Sequence, residues 1–172
     1  MTKFNQLQTK DDFAKLLGFK NARYINYLLY NVQTDNLYTT FTIPKKNGGE
    51  RVIHAPSKEL KFLQKKLANI IWECYLESLE SKSKDKNFKT PVLSHAFEKG
   101  KSIITNSQMH RNKKYILNID LKNFFDSFNF GRVRVFFIKD RDFAVSPEIA
   151  TVIAQIVCYQ GKLPQGAPSS PI

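Results

Sequence analysis

Two cysteines, Cys74 and Cys158, among 172 residues leave no material for a disulfide framework, and their spacing suits no zinc site. Both lie in apolar helical patterns, so reduced thiols in a cytoplasmic protein are expected. No apolar run approaches the ~18 residues of a membrane span, and the opening MTKFNQLQTKDDF has no signal-peptide core. No internal repeat is present. Acidic residues are scarce: 15 Asp and Glu stand against 27 Lys and Arg, for a net charge of +12 and a pI near 9.7. Such an excess favours a polyanionic partner, either nucleic acid or an anionic membrane surface. What is present is 42% hydrophobic and 13% aromatic, a globular composition sized for one domain or part of a larger one.

The local signals run in order along the chain. TKDDFAKLLGF predicts a short helix with Thr9 as N-cap and Gly18 just past its end, and a second helix over about 22–30 follows. Such a pair suits a packing unit, and less often a helix-turn-helix that reads DNA. LYTTFTIPKKNGGERVIHAP alternates on both sides of Asn47-Gly48-Gly49 and predicts a β-hairpin, with Lys45, Lys46 and Arg51 at or near its tip. That tip is either a solubilising turn or a cationic finger over phosphates. Ser57 caps a long amphipathic helix whose stripe is Leu60, Leu63, Leu67, Ile70 and Cys74, decaying into the lysine-rich SKSKDKNFK. Ser102 caps a further helix flanked by basic side chains. YILNID then predicts a strand over 115–120, FGRVRVFFIKD a helix, and Ser146-Pro147-Glu148 the start of another running to about Tyr159.

Chemistry concentrates in two places. An aspartate at a strand's end lies at a sheet edge, where ligands bind, and its carboxylate suits Mg²⁺, a hard cation that prefers oxygen donors. Asp120 fits that description, and also that of a turn residue or helix cap. LPQGAPSS brings the chain in extended, offers the Gln165 amide, and lets the backbone approach a ligand closely at Gly166. Asp126, nearer the following helix, reads as that helix's cap, and Phe124 is expected to turn into the core while Phe125 does not.

An apolar strand ending in D-x-x-x-F-F, followed about forty residues later by LPQGAPSSP, resembles motifs A and B of reverse transcriptases. The likeness covers most of the chain from residue 38 and is nearest the bacterial retron and group II intron branch. IPKKNGGERVIHAPSKELKFLQ resembles that family's fingers block. SHAFEKGKSI resembles its next block, with Ala96 where glycine is usual. NSQMH is similar to the retron-type N-A-x-x-H signature, with Ser107 in place of alanine.

The resemblance implies an α/β architecture of the α+β kind: a right-hand polymerase's fingers with an incomplete palm. Residues 1–37 would form an N-terminal helical segment, 38–114 the fingers with their hairpin, and 115–172 part of the palm. It implies an RNA-directed DNA polymerase working with two Mg²⁺ ions on an RNA template, an RNA–DNA duplex and dNTPs. Asp120 would be catalytic and a metal ligand beside the Leu121 carbonyl. Phe125 would exclude a 2′-hydroxyl, Gln165 and Gly166 would meet the nucleotide, and Lys45, Lys46 and Arg51 its triphosphate. In a retron the template is a structured noncoding RNA, and the setting is antiphage defence with an effector protein. The family's tyrosine-x-aspartate-aspartate segment and its thumb are expected beyond Ile172, so this stretch alone is expected to be inactive. The rival readings are a non-catalytic nucleic-acid-binding module on the same scaffold and a basic protein that meets lipid.

Overall fold

The computed structural model describes residues 3–45, 48–84, 94–96, 98, 100–121 and 124–171. After a 3₁₀ turn at Lys3–Gln6 come α1 (Lys10–Leu16), α2 (Arg23–Asn26) continuing into a π-turn at Tyr27–Asn31, and α3 (Thr34–Leu37). A hairpin follows, β1 (Tyr38–Pro44) and β2 (Glu50–Pro56), then α4 (Lys58–Ser83), α5 (Ile103–His110), α6 (Phe124–Ser127), α7 (Phe130–Lys139) and α8 (Pro147–Val157). This is an α+β arrangement in which, among the described residues, the sheet has two strands.

Helix starts are set where the caps stand. Thr9 and Asp12 form a reciprocal capping box on α1, while the hydroxyls of Ser57 and Ser146 accept from the Leu60 and Ile149 amides. Pro147 occupies the first turn of α8, where its missing N–H costs nothing. The second predicted helix is only partly α-helical, because from Tyr27 the spacing widens to a π-turn.

The core is helix against helix. On α4, Leu60, Leu63 and Leu67 are buried, and Ile149, Ile153 and Ile156 of α8 are fully covered beside them. Seven of the eleven residues of α8 are buried, so it lies inside the body rather than along its surface. Phe4, Phe137 and Phe143 close one end with ring centroids 5.1–6.4 Å apart. Each such side chain contributes about 1.5–3 kcal/mol by leaving water.

A fully buried polar side chain joins this packing to the hairpin. Gln64, fully buried on α4, donates its side-chain amide to the Tyr38 hydroxyl (2.9 Å) and to the Ile156 carbonyl (2.8 Å). Tyr38 stacks on Tyr159 at 4.2 Å, and burial pushes its hydroxyl up to about 12. The start of β1, the second turn of α4 and the end of α8 are thereby joined at one point.

The expected hairpin is formed, with Tyr38 opposite Pro56 and Ile43 opposite Arg51. At its base Tyr38 is buried and Ile53 to Pro56 are half-buried, while its distal half projects, leaving Phe41, Ile43 and Val52 exposed.

The predicted strand over 115–120 is not formed. Residues 115–121 are irregular and exposed, with Tyr115 at 82%, Leu117 at 84% and Ile119 at 74%. A strand's N–H and C=O groups need a neighbouring strand, and among the described residues no ladder joins this stretch to β1 or β2. Strand propensity without a ladder partner does not make a strand.

Candidate functional site

The segment that gathers the site follows α8. Cys158 turns extended, and Tyr159 and Lys162 exchange backbone hydrogen bonds of 2.8 and 3.1 Å across Gln160 and Gly161. Both central residues have positive φ, 49° and 77°, the signature of a mirror-image two-residue turn. Two groups of this segment are taken by the chain at the start of α7. The Gly161 carbonyl accepts from the Phe130 amide (2.8 Å) and the Phe128 carbonyl from the Leu163 amide (3.0 Å). Lys162 Nζ lies 2.7 Å from the Asp126 carboxylate, a half-exposed ion pair.

The next residues dock on the hairpin. The His54 amide of β2 donates to the Gln165 carbonyl at 3.0 Å. Gly166 has φ +107°, and a Cβ built there would stand 2.8 Å from Ile53 Cγ2 and 3.5 Å from the His54 carbonyl oxygen. No L side chain fits that conformation and that space together. The close approach expected at Gly166 is therefore made to the protein's own β2. The His54 ring lies 5.0 Å from Tyr159, and its Nδ1 is 2.9 Å from the Thr40 hydroxyl, so the base of the hairpin is held on its strand edge and on a ring face. Further along, Ser170 Oγ donates to the Pro164 carbonyl at 2.7 Å and closes the loop on itself.

The two phenylalanines exchange their expected places. Phe124 is 44% exposed, while Phe125 is half-buried. Because both lie in α6 rather than on a strand, they are a helical step apart, and their rings meet edge-on at 5.6 Å. Phe124 also contacts Phe128 at 5.1 Å. Asp126 is not the cap of α7. Asn129 is, accepting from the Arg132 amide at 2.9 Å, and Asp126 is held by Lys162 instead.

Asp120 and Leu121 lie on the exposed irregular stretch, and no hydrogen bond or ion pair holds the Asp120 carboxylate among the described residues. Magnesium needs several convergent oxygen donors. Asp120 offers one carboxylate and Leu121 one carbonyl, and no group of three His, Cys, Asp or Glu able to hold a metal occurs among the described residues. The described residues do not by themselves make a magnesium site.

Lys45 begins the hairpin turn, with its amide 2.9 Å from the Gly49 carbonyl, and Arg51 stands opposite Ile43; both side chains face solvent. Lys46 lies outside the described residues. The structure thus joins Gln165 and Gly166 to the strand that carries Arg51, and joins the Phe125 segment to the same loop through Lys162. It does not bring Asp120 to either. Sequence reasoning passed over His54, Tyr159, Lys162 and Asn129. Only Asn129, one residue before the apolar helical period of α7, carried a readable signal. Both cysteines are free, and burial pushes their thiols up, that of Cys158 to about 11. No helix among the described residues is long and apolar enough to cross a membrane.

No protein-family model matches the chain. Curated relatives do. It is 37% identical over 150 residues to the retron Ec86 reverse transcriptase of Escherichia coli, a match covering 86% of this chain and 41% of that protein. It is 32% identical over 130 residues to the retron Mx65 reverse transcriptase of Myxococcus xanthus (74% of this chain, 27% of that protein). To the retron Mx162 reverse transcriptase of the same organism it is 28% identical over 184 residues (96% and 35%). The chain thus spans well under half the length of these relatives.

Proposed function

We propose, from the premise that this chain is a member of the retron-type reverse-transcriptase family matching a part of its relatives' length, that it supplies the fingers and first palm segment of an RNA-directed DNA polymerase. Residues 1–37 form the helical lead-in, 38–114 the fingers, and 115–172 part of the palm. The observation that carries this reading is the docking of Gln165 and Gly166 on β2. It ties the strand bearing Arg51 to the LPQG loop, which supports a reading in which that strand and the Gln165 amide serve one nucleotide. Lys45, Lys46 and Arg51 meet the triphosphate, with Arg51 offering paired donors. Phe125 limits the space beside the sugar, and its half-buried ring is held against Phe124. Asp120 and the Leu121 carbonyl are this stretch's oxygen donors toward Mg²⁺, to be joined by donors from elsewhere in the polymerase. The template is RNA, of the structured noncoding kind that a retron copies, with dNTPs as substrates and antiphage defence as the setting.

Primer extension on an RNA template by the polymerase that contains this chain tests the reading. Asp120→Asn keeps the shape and removes the charge, so extension should fall by about two orders of magnitude or more. Near-normal extension would end the assignment of Asp120. Phe125→Val should lower the dNTP-over-rNTP ratio of kcat/KM while reducing dNTP use less severely. An unchanged ratio would remove the gate from Phe125.

A further inference from the structure

Opposite its buried stripe, α4 carries a surface that the polymerase reading leaves without a task. Phe62 is 51% exposed there. Helical spacing sets Lys58 four residues before it, and Lys65 and Lys66 three and four after, on the same face. The corner between α1 and α2 closes on this face. Phe19 meets Phe62 edge-on at 6.4 Å, and Tyr24 stacks on Phe19 at 5.1 Å. Lys66 Nζ stands over both rings, 5.4 Å from Phe19 and 5.1 Å from Phe62. Lys58 and Lys65 are exposed, and Glu59 adds a carboxylate to the same face.

We propose that this face of α4 is a stacking platform for single-stranded RNA, with a base against Phe62 and adjoining phosphates met by Lys58 and Lys65. An exposed ring alone is ordinary surface, and lysines alone are a solvated helix face. The combination is different, because cations one helical turn to either side of a ring address the base and the backbone of one strand together. A base-paired duplex keeps its base faces stacked inside, so an unpaired stretch is the fitting ligand. A lipid surface would ask for several neighbouring apolar side chains in place of one ring among lysines. The proposal rests on RNA being this family's template, but not on the chemistry of Asp120.

The test is binding of a short, unstructured, fluorescently labelled RNA at fixed salt, with inorganic polyphosphate as a polyanion that has no bases. Phe62→Ala should weaken RNA binding about 10-fold and leave polyphosphate binding unchanged. Phe62→Leu keeps an apolar contact for Phe19 but cannot stack, and it should show a similar loss with an unchanged melting temperature. Glu59→Gln should tighten both ligands. Unchanged RNA affinity in both Phe62 variants overturns the proposal and leaves the face to a protein partner. Equal losses on RNA and polyphosphate also overturn it, since charge alone would then explain the binding. The platform is read by RNA binding and Asp120 by primer extension, so failure of the polymerase reading and failure of the platform are seen separately.

Discussion

Leu63 and Leu117 carry the same side chain into opposite settings. Leu63 on α4 is fully covered, and Leu117 in the irregular stretch after α5 is 84% exposed. Both belong to strongly apolar local patterns. A helix completes its own backbone hydrogen bonds, so α4 needed only something apolar to lie against, and α8 supplies it. An extended segment needs a neighbour for its backbone as well as cover for its side chains. The 115–121 stretch has neither among the described residues. An apolar pattern therefore states a demand, and the kind of element decides how much of the fold must be present to meet it.

The sharpest way to test that contrast is to truncate both leucines. Leu63→Ala should lower unfolding stability by about 2–5 kcal/mol, the cost of lost burial plus a cavity. Leu117→Ala should change it by less than about 0.5 kcal/mol. Urea unfolding of the two variants measures both, and a large cost at Leu117 would mean that the stretch is covered in solution.

An intermediate effect is expected where the body meets the hairpin. Gly166→Ala adds a methyl 2.8 Å from Ile53 Cγ2 and forces an L residue to φ +107°. The cost should be about 1–3 kcal/mol, read as a lower melting temperature. Adding Ile53→Ala removes the obstacle but not the backbone strain, so the double variant should recover only part. Full recovery would show that crowding alone excludes a side chain here.

The smallest effect concerns acid. The Ser78 hydroxyl (2.7 Å) and then Lys82 (2.9 Å) hold the Asp142 carboxyl below its ordinary value. The folded state thus takes this proton less readily than the unfolded chain. Its contribution is present above the ordinary carboxylate range and lost as pH falls through the lowered folded value. Because the pair is partly solvated, Asp142→Asn should flatten the acid limb of stability against pH by only a few tenths of a kcal/mol. An unchanged acid limb would assign that limb to other carboxylates.

Most of what was legible in the sequence is local. The hydroxyls of Ser57, Ser102 and Ser146 start the helices they were read to start, because a cap and its partner amide lie three residues apart. The hairpin was legible for the same reason: its turn and its alternation sit within twenty residues. What failed depends on distant partners. The 115–120 run has strand composition, and nothing within it says whether a ladder is available. Phe124 and Phe125 were assigned faces by strand alternation, whereas the chain there turns into α6. Asp126 looks as good a cap as Asn129 until Lys162, far along the chain, is seen to claim it. Gly166 was read as a point where the backbone comes close to a ligand, and the group it comes close to in the structure is Ile53 of the chain itself.

The anchoring of β2 has a mechanical consequence. The strand is fastened at His54, by its amide to Gln165 and its ring beside Tyr159, while everything toward Gly49 projects. That makes the hairpin a lever with its fulcrum at His54. Five residues of strand make an arm of roughly 17 Å at about 3.3 Å each. A rotation of about ten degrees at the fulcrum then carries the tip roughly 3 Å, the width of one hydrogen bond. A small strain at the Gln165 carbonyl is thus geared up into a displacement of about that size at Lys45, and a smaller one at Arg51, which stands only three residues from the fulcrum.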